Sequence, residues 1–159
     1  MRDTKKPTSV SDDLRSMIFN LNPNEIGISK DTYDHPVWGV VLETGYPVGF
    51  FTLVSLAEGT TSLYFSNGGG ILGGGEHDNV REAADRYLSG AQQFFEKATR
   101  VDEYPPPADG EVTFYFLTFE GVRKYSAPEE KFGSKKDDLS NLFLAAHAVI
   151  SELRQLEQK

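Results

Sequence analysis

The stretch VWGVVLETGYPVGFFTLVSLAEGTTSLYFS, residues 37–66, decides the class of fold. Its β-branched and aromatic residues fall into three runs separated by turn residues. The runs predict strands over about 37–44, 48–57 and 60–66, with turns at Gly45-Tyr46-Pro47 and Glu58-Gly59. In the second run Phe50, Val54 and Leu56 share one face, and Phe51 and Leu53 share the other. A strand apolar on both faces is central, or covered on both sides.

Helical spacing brackets these strands. Val10, Leu14, Met17, Ile18 and Leu21 predict a first helix, with Ser9 or Ser11 as its cap and Pro23 as its stop. A loop follows to Tyr33, with a short turn at Pro23–Ile26. After a glycine-rich loop over 67–75, a long helix is predicted over 77–99. Its apolar stripe is Val80, Ala83, Ala84, Tyr87, Leu88, Ala91, Phe94, Phe95 and Ala98. Tyr104-Pro105-Pro106-Pro107 and Asp109-Gly110 form a stiff connector. Strands over 111–119 and 122–126, a charged loop over 127–137 and a last helix over 139–156 complete the chain.

The prediction is a single α+β domain over 9–159 behind a flexible tail at 1–8. It has a mostly antiparallel, five-stranded sheet and the order α-β-β-β-α-β-β-α. The fourth strand carries Phe114 and Phe116 on one face and Tyr115, Leu117 and Phe119 on the other. Two apolar faces need two covers, and a partner or a second copy of the chain is a candidate for one of them.

Charge narrows the function classes. The 159 residues carry a formal charge of −8, and Asp31 to Val80 holds no Lys or Arg. Phosphate binding needs a basic stripe, so nucleic acid is a poor partner, and so is an anionic membrane surface. Arg81 with Asp85, Glu82 with Arg86, and Glu96 with Arg100 have the spacing of helix-surface ion pairs. The absence of cysteine excludes disulfides and thiolate metal sites. The first residues lack an apolar core segment, and no run of about 18 apolar residues occurs, so a cytoplasmic protein is expected.

One segment is unusual: Asn67-Gly68-Gly69-Gly70-Ile71-Leu72-Gly73-Gly74-Gly75-Glu76-His77. Six glycines run into a helix start, where backbone N–H groups favour an anion. Gly68, Gly70 and Gly73 match G-x-G-x-x-G, but no parallel β-α-β unit surrounds them, and a Walker loop would need Lys and Ser or Thr. Two readings stand. The glycines serve packing, or a small anion or metabolite binds at 67–77, through Asn67, Gly69, Gly70, Gly74, Glu76 and His77, with catalysis as an extension.

Local catalytic signatures are absent. His35, His77 and His147 are far apart in sequence, and neither H-E-x-x-H nor G-x-S-x-G occurs. His147 reads as a satisfied, half-buried helix residue. No metal and no cofactor are expected, and the reading leans away from an enzyme. The first functional expectation is a non-enzymatic binding or regulatory domain acting through protein–protein contacts as a homodimer.

Thr61 to Gly70, with Val37-Trp38-Gly39-Val40 and Leu117-Thr118-Phe119-Glu120-Gly121-Val122, resembles a group of bacterial proteins of unassigned function. That resemblance implies a bacterial source and no activity. The element order, small size and acidic charge are also similar to type III secretion chaperones. This second resemblance implies a homodimeric cytoplasmic protein that binds an extended partner segment without a cofactor.

Overall fold

The computed structural model describes residues 10–156. The tail expected over 1–8 lies outside the described residues, as do Ser9 and the side chain of Ser11, the two expected caps. The structure is α+β. Its strands are β1 (Val37–Tyr46), β2 (Gly49–Leu56), β3 (Thr61–Phe65), β4 (Gly70–Ile71), β5 (Thr99–Val101), β6 (Glu111–Thr118) and β7 (Gly121–Pro128). Four α-helices accompany them among the described residues: α1 (Val10–Phe19), α2 (Asp78–Phe94), α3 (Glu129–Gly133) and α4 (Ser140–Leu156). All paired strands are antiparallel, in the order β4-β3-β2-β1-β6-β7-β5.

The sheet has seven strands where five were expected. Both extra strands are short edges. In β4, Gly70 and Ile71 pair with Tyr64 and Leu63, so part of the expected glycine loop is a hairpin arm. In β5, Thr99 to Val101 pairs with Lys124 to Val122. The helix expected to reach Thr99 ends at Phe94, followed by a 3₁₀ turn at Phe95–Lys97. Helical periodicity extends the apolar stripe through Ala98, but the β-branched Thr99 and Val101 gain ladder hydrogen bonds from β7 instead. The expected loop over 127–137 contains the end of β7 and all of α3. The element order is therefore α-β-β-β-β-α-β-β-β-α-α.

The inner strands β1, β2, β3 and β6 alternate their side chains between two covered faces. Val40, Leu42, Leu53, Leu63, Phe114 and Phe116 pack against the apolar stripes of α2 and α4. Val41, Val54, Leu56, Tyr115 and Leu117 pack on the opposite face with Ile18 of α1 and Ile28. The proline connector helps to close that second face. Tyr104 stacks on Phe19 with ring centroids 4.3 Å apart, and Phe19 meets Tyr115 edge-on at 4.8 Å. The Tyr115 hydroxyl donates to the Pro105 carbonyl at 3.2 Å. Gly110 N–H donates to Gly45 O at 2.9 Å, and a Cβ on Gly45 would strike the Ala108 carbonyl. The cover expected from a second copy is thus supplied by the chain itself.

Register places a polar row on this second face, buried from Tyr64 to Thr113 and exposed at Ser126. Tyr64, Thr52, Glu43, Thr113 and Ser126 lie side by side across β3, β2, β1, β6 and β7. Glu43 is fully buried. Arg15 of α1 reaches it with two hydrogen bonds, Nε to Oε2 at 2.7 Å and Nη2 to Oε1 at 2.8 Å. The Thr52 hydroxyl donates to Oε2 at 2.6 Å, and Arg15 Nη2 also donates to Tyr104 O at 2.9 Å. The guanidinium carbon lies 5.3 Å from the Phe19 ring centroid and 5.5 Å from that of Phe50. Burial works against the Arg15 charge, but the bonds to Glu43 outweigh it and raise its pKa.

Removing one partner leaves a buried charge without its counterion. Arg15→Met should cost about 3–5 kcal/mol in urea unfolding. The double variant Arg15→Met, Glu43→Leu should regain much of that loss, because both desolvated charges are gone. An Arg15→Met protein as stable as the parent would contradict this assignment.

Candidate functional site

The glycine segment is built into the scaffold. Asn67 and Gly69 form the exposed turn between β3 and β4, where Gly69 O accepts Phe65 N–H at 3.1 Å. The turn requires Gly69 at φ +82°, a conformation that side-chain-bearing residues rarely adopt. Gly70 lies in β4, where a Cβ would come within 2.5 Å of Leu63 O. Gly74 and Gly75 are buried in a 3₁₀ turn. A Cβ on Gly74 would meet Leu153, and one on Gly75 would strike the backbone of Gly59. Glu76 and His77 are exposed at the start of α2. His77 borders a cleft of about 160 Å³ with Asp78, Glu152 and Gln155, while the other five expected contacts do not line it. The six residues are therefore distributed over a hairpin, a turn and a helix start.

A larger cleft, about 400 Å³, lies between the 33–35 loop, Ala57 and α2. Its α2 wall is Asp85, Leu88, Ser89, Gln92 and Gln93. Asp85, Ser89 and Gln93 recur every four residues, which places them on one helix stripe. All three are exposed, and no hydrogen bond or ion pair occupies their side chains among the described residues. The expected partner of Asp85 is engaged elsewhere: Arg81 donates to Gly75 O from Nη2 at 2.9 Å and Nε at 3.2 Å. The expected pairs Glu82–Arg86 and Glu96–Arg100 do not come within ion-pair distance either.

The opposite wall is held in place. Gln92 acts as a substitute strand at the start of β1, accepting Val37 N–H at 2.9 Å and donating to Val37 O at 2.8 Å. The same amide donates to the Tyr33 hydroxyl at 3.1 Å, and that hydroxyl donates to Val37 O at 3.0 Å. The Tyr33 ring meets His35 edge-on at 5.2 Å. Burial raises the Tyr33 pKa, partly offset by the Gln92 bond, and the negative fields of Asp34 and Asp85 raise it further. The cleft therefore has an aromatic wall, an apolar patch from Ala57 and Leu88, and a negative field.

The three histidines do not gather. His35 is in this cleft, His77 is at the start of α2, and His147 is half-buried on α4 beside Phe143, ring centroids 4.4 Å apart. His147 was expected to be satisfied, yet its buried Nε2 has no hydrogen-bond partner among the described residues. Burial among apolar rings lowers its pKa. Among the described residues no group of three His, Asp or Glu side chains is placed to hold a metal ion. No described helix is long and apolar enough to cross a membrane.

Sequence reasoning missed Tyr33, Ser89, Gln92 and Gln93, and took Asp85 for half of a surface ion pair. The available signal was the i, i+4, i+8 polar stripe, which has the same pattern as an ordinary solvated face. Compared with known protein families, curated proteins and solved structures, the chain finds no match.

Two measurements check these assignments. Gly75→Ala should destabilise by about 1–3 kcal/mol through its clash with Gly59. Gly133→Ala, which meets nothing within 4 Å, should be neutral or stabilising. An equal response at both positions would remove the packing role. For His147, a folded-state pKa below the unfolded value means the unfolded chain binds the proton more readily. The melting temperature should therefore fall as pH drops from about 7.5 through about 6.5 to about 5.5. His147→Phe should flatten that slope; an unchanged slope would exclude His147 as its source.

Proposed function

We propose that this protein is a non-enzymatic binding domain that acts through contacts with another protein. The observation that carries the reading is the 400 Å³ cleft bordered by uncommitted Asp85, Ser89 and Gln93 on one stripe of α2. Open polar groups beside an apolar patch suit a partner's side chain, which brings its own hydrogen-bond complement. Two further features favour binding over catalysis. Among the described residues the one fully buried carboxylate, Glu43, is neutralised by Arg15 and committed to Thr52. The histidines are dispersed, and the one carboxylate within ion-pair distance of any of them among the described residues, Asp34 at 3.8 Å from His35 Nε2, stands exposed with it at the surface.

The small-ligand reading at 67–77 loses ground, because Gly70, Gly74 and Gly75 have steric duties there. The homodimer reading loses its motive where α1 and the connector cover the second face of β6.

Selection of a displayed random dodecapeptide library on the whole protein tests the proposal. A recurrent peptide motif is expected, and Ser89→Trp, which fills the cleft, should abolish its capture. Failure to enrich any motif would overturn the reading.

A further inference from the structure

The cleft between the 33–35 loop and α2 has a charge character that its sequence explains. Its walls at Tyr33, His35 and Ala57 come from Asp31–Val80, the stretch that contains no Lys or Arg. Neither is there a Lys or Arg among the α2 residues that line it. Of the two arginines on that helix, Arg81 is turned back onto Gly75 O, and Arg86 does not line the cleft. One carboxylate lies in the lining, and two more are chain neighbours of lining residues. Asp85 lines it; Asp34, 3.8 Å from His35 Nε2, acts with Asp85 on the Tyr33 hydroxyl; and Glu58, whose carboxylate accepts the Thr60 N–H, follows Ala57 in the β2–β3 turn. Asp34, Glu58 and Asp85 are all exposed.

Desolvating a carboxylate at an interface is unfavourable unless an opposite charge meets it. The lining holds no lysine or arginine, and its histidine, His35, is set beside Asp34 at 3.8 Å, so the complement to Asp85 must come from outside. The apolar and aromatic lining adds a second requirement, a body that buries methylene groups while its charged tip reaches Asp85. Arginine and lysine side chains have this form, an apolar stem with a cationic head. Ser89 and Gln93 remain free to bond the partner's backbone or the remaining guanidinium N–H groups.

Resting on the protein-binding reading above, we infer that this cleft receives an arginine or lysine side chain from a basic segment of the partner protein. Its stem lies along Tyr33, Ala57 and Leu88, and its charged head pairs with Asp85.

The peptide selection distinguishes failure of this inference from failure of the reading beneath it. Enriched peptides should share one Arg or Lys. Replacing that residue by citrulline or norleucine in the synthetic peptide should weaken binding by roughly fivefold or more, measured by calorimetry on the whole protein. Asp85→Asn should cause a comparable loss, and added salt should weaken the parent complex but not the Asp85→Asn complex. Asp85 is exposed, so the variant's melting curve should match the parent's, which separates a binding effect from unfolding. Enriched peptides without a basic residue, lost on Ser89→Trp, would overturn the inference and leave the protein-binding reading standing. Selected basic peptides indifferent to Asp85→Asn would also overturn it. No enriched peptide at all would remove both.

Discussion

The ion pair between Arg15 and Glu43 joins parts of the chain that no hydrophobic pattern brings together. Glu43 lies in β1, the middle strand of the sheet, fully buried. A lone carboxylate there would be costly, so the charge requires a counterion delivered from above the sheet. Arg15 delivers it from α1 and, with the second N–H of Nη2, ties down the carbonyl of Tyr104. One guanidinium thus holds the first helix, the central strand and the proline connector in mutual register. The aromatic contacts among Phe19, Tyr104 and Tyr115 then build around that fixed point.

The result is a sheet covered on both sides by its own chain, with α2 and α4 on one face and α1 with the connector on the other. Both edges are short: β4 has two residues and β5 has three. Short edges offer little template for strand addition, which suppresses edge-to-edge association. With faces covered and edges blunted, recognition is left to clefts where loops meet helices. The Tyr33–α2 cleft is such a place, and Gln92 links it to the fold by pairing with the backbone of β1 while positioning Tyr33.

Much of the fold was legible from residues alone. The alternation in 37–66 and 111–119 located the core strands and assigned their faces. The stripes Val80 to Ala91 and Leu142 to Leu153 located the two principal helices. The missed strands were short ones whose sequence cues pointed elsewhere. Gly70-Ile71 sits in a glycine run that reads as a loop, and Thr99 to Val101 continues a helical stripe. Both are strands because a neighbouring strand offers unpaired N–H and C=O groups, a tertiary fact with no local signature.

Local periodicity and turn chemistry by themselves determined the α+β class, the antiparallel sense, the two-sided strands and the cation-free acidic stretch. These follow from interactions between residues close in sequence, whose spacing is visible in the chain. Only the tertiary structure decided that Glu43 faces Arg15, that Gly75 packs against Gly59, and that Tyr33 faces Asp85 across a cleft. Those pairings depend on strand register and helix placement, set by the whole core together, so residues 28, 16 and 52 positions apart meet without any pattern announcing it.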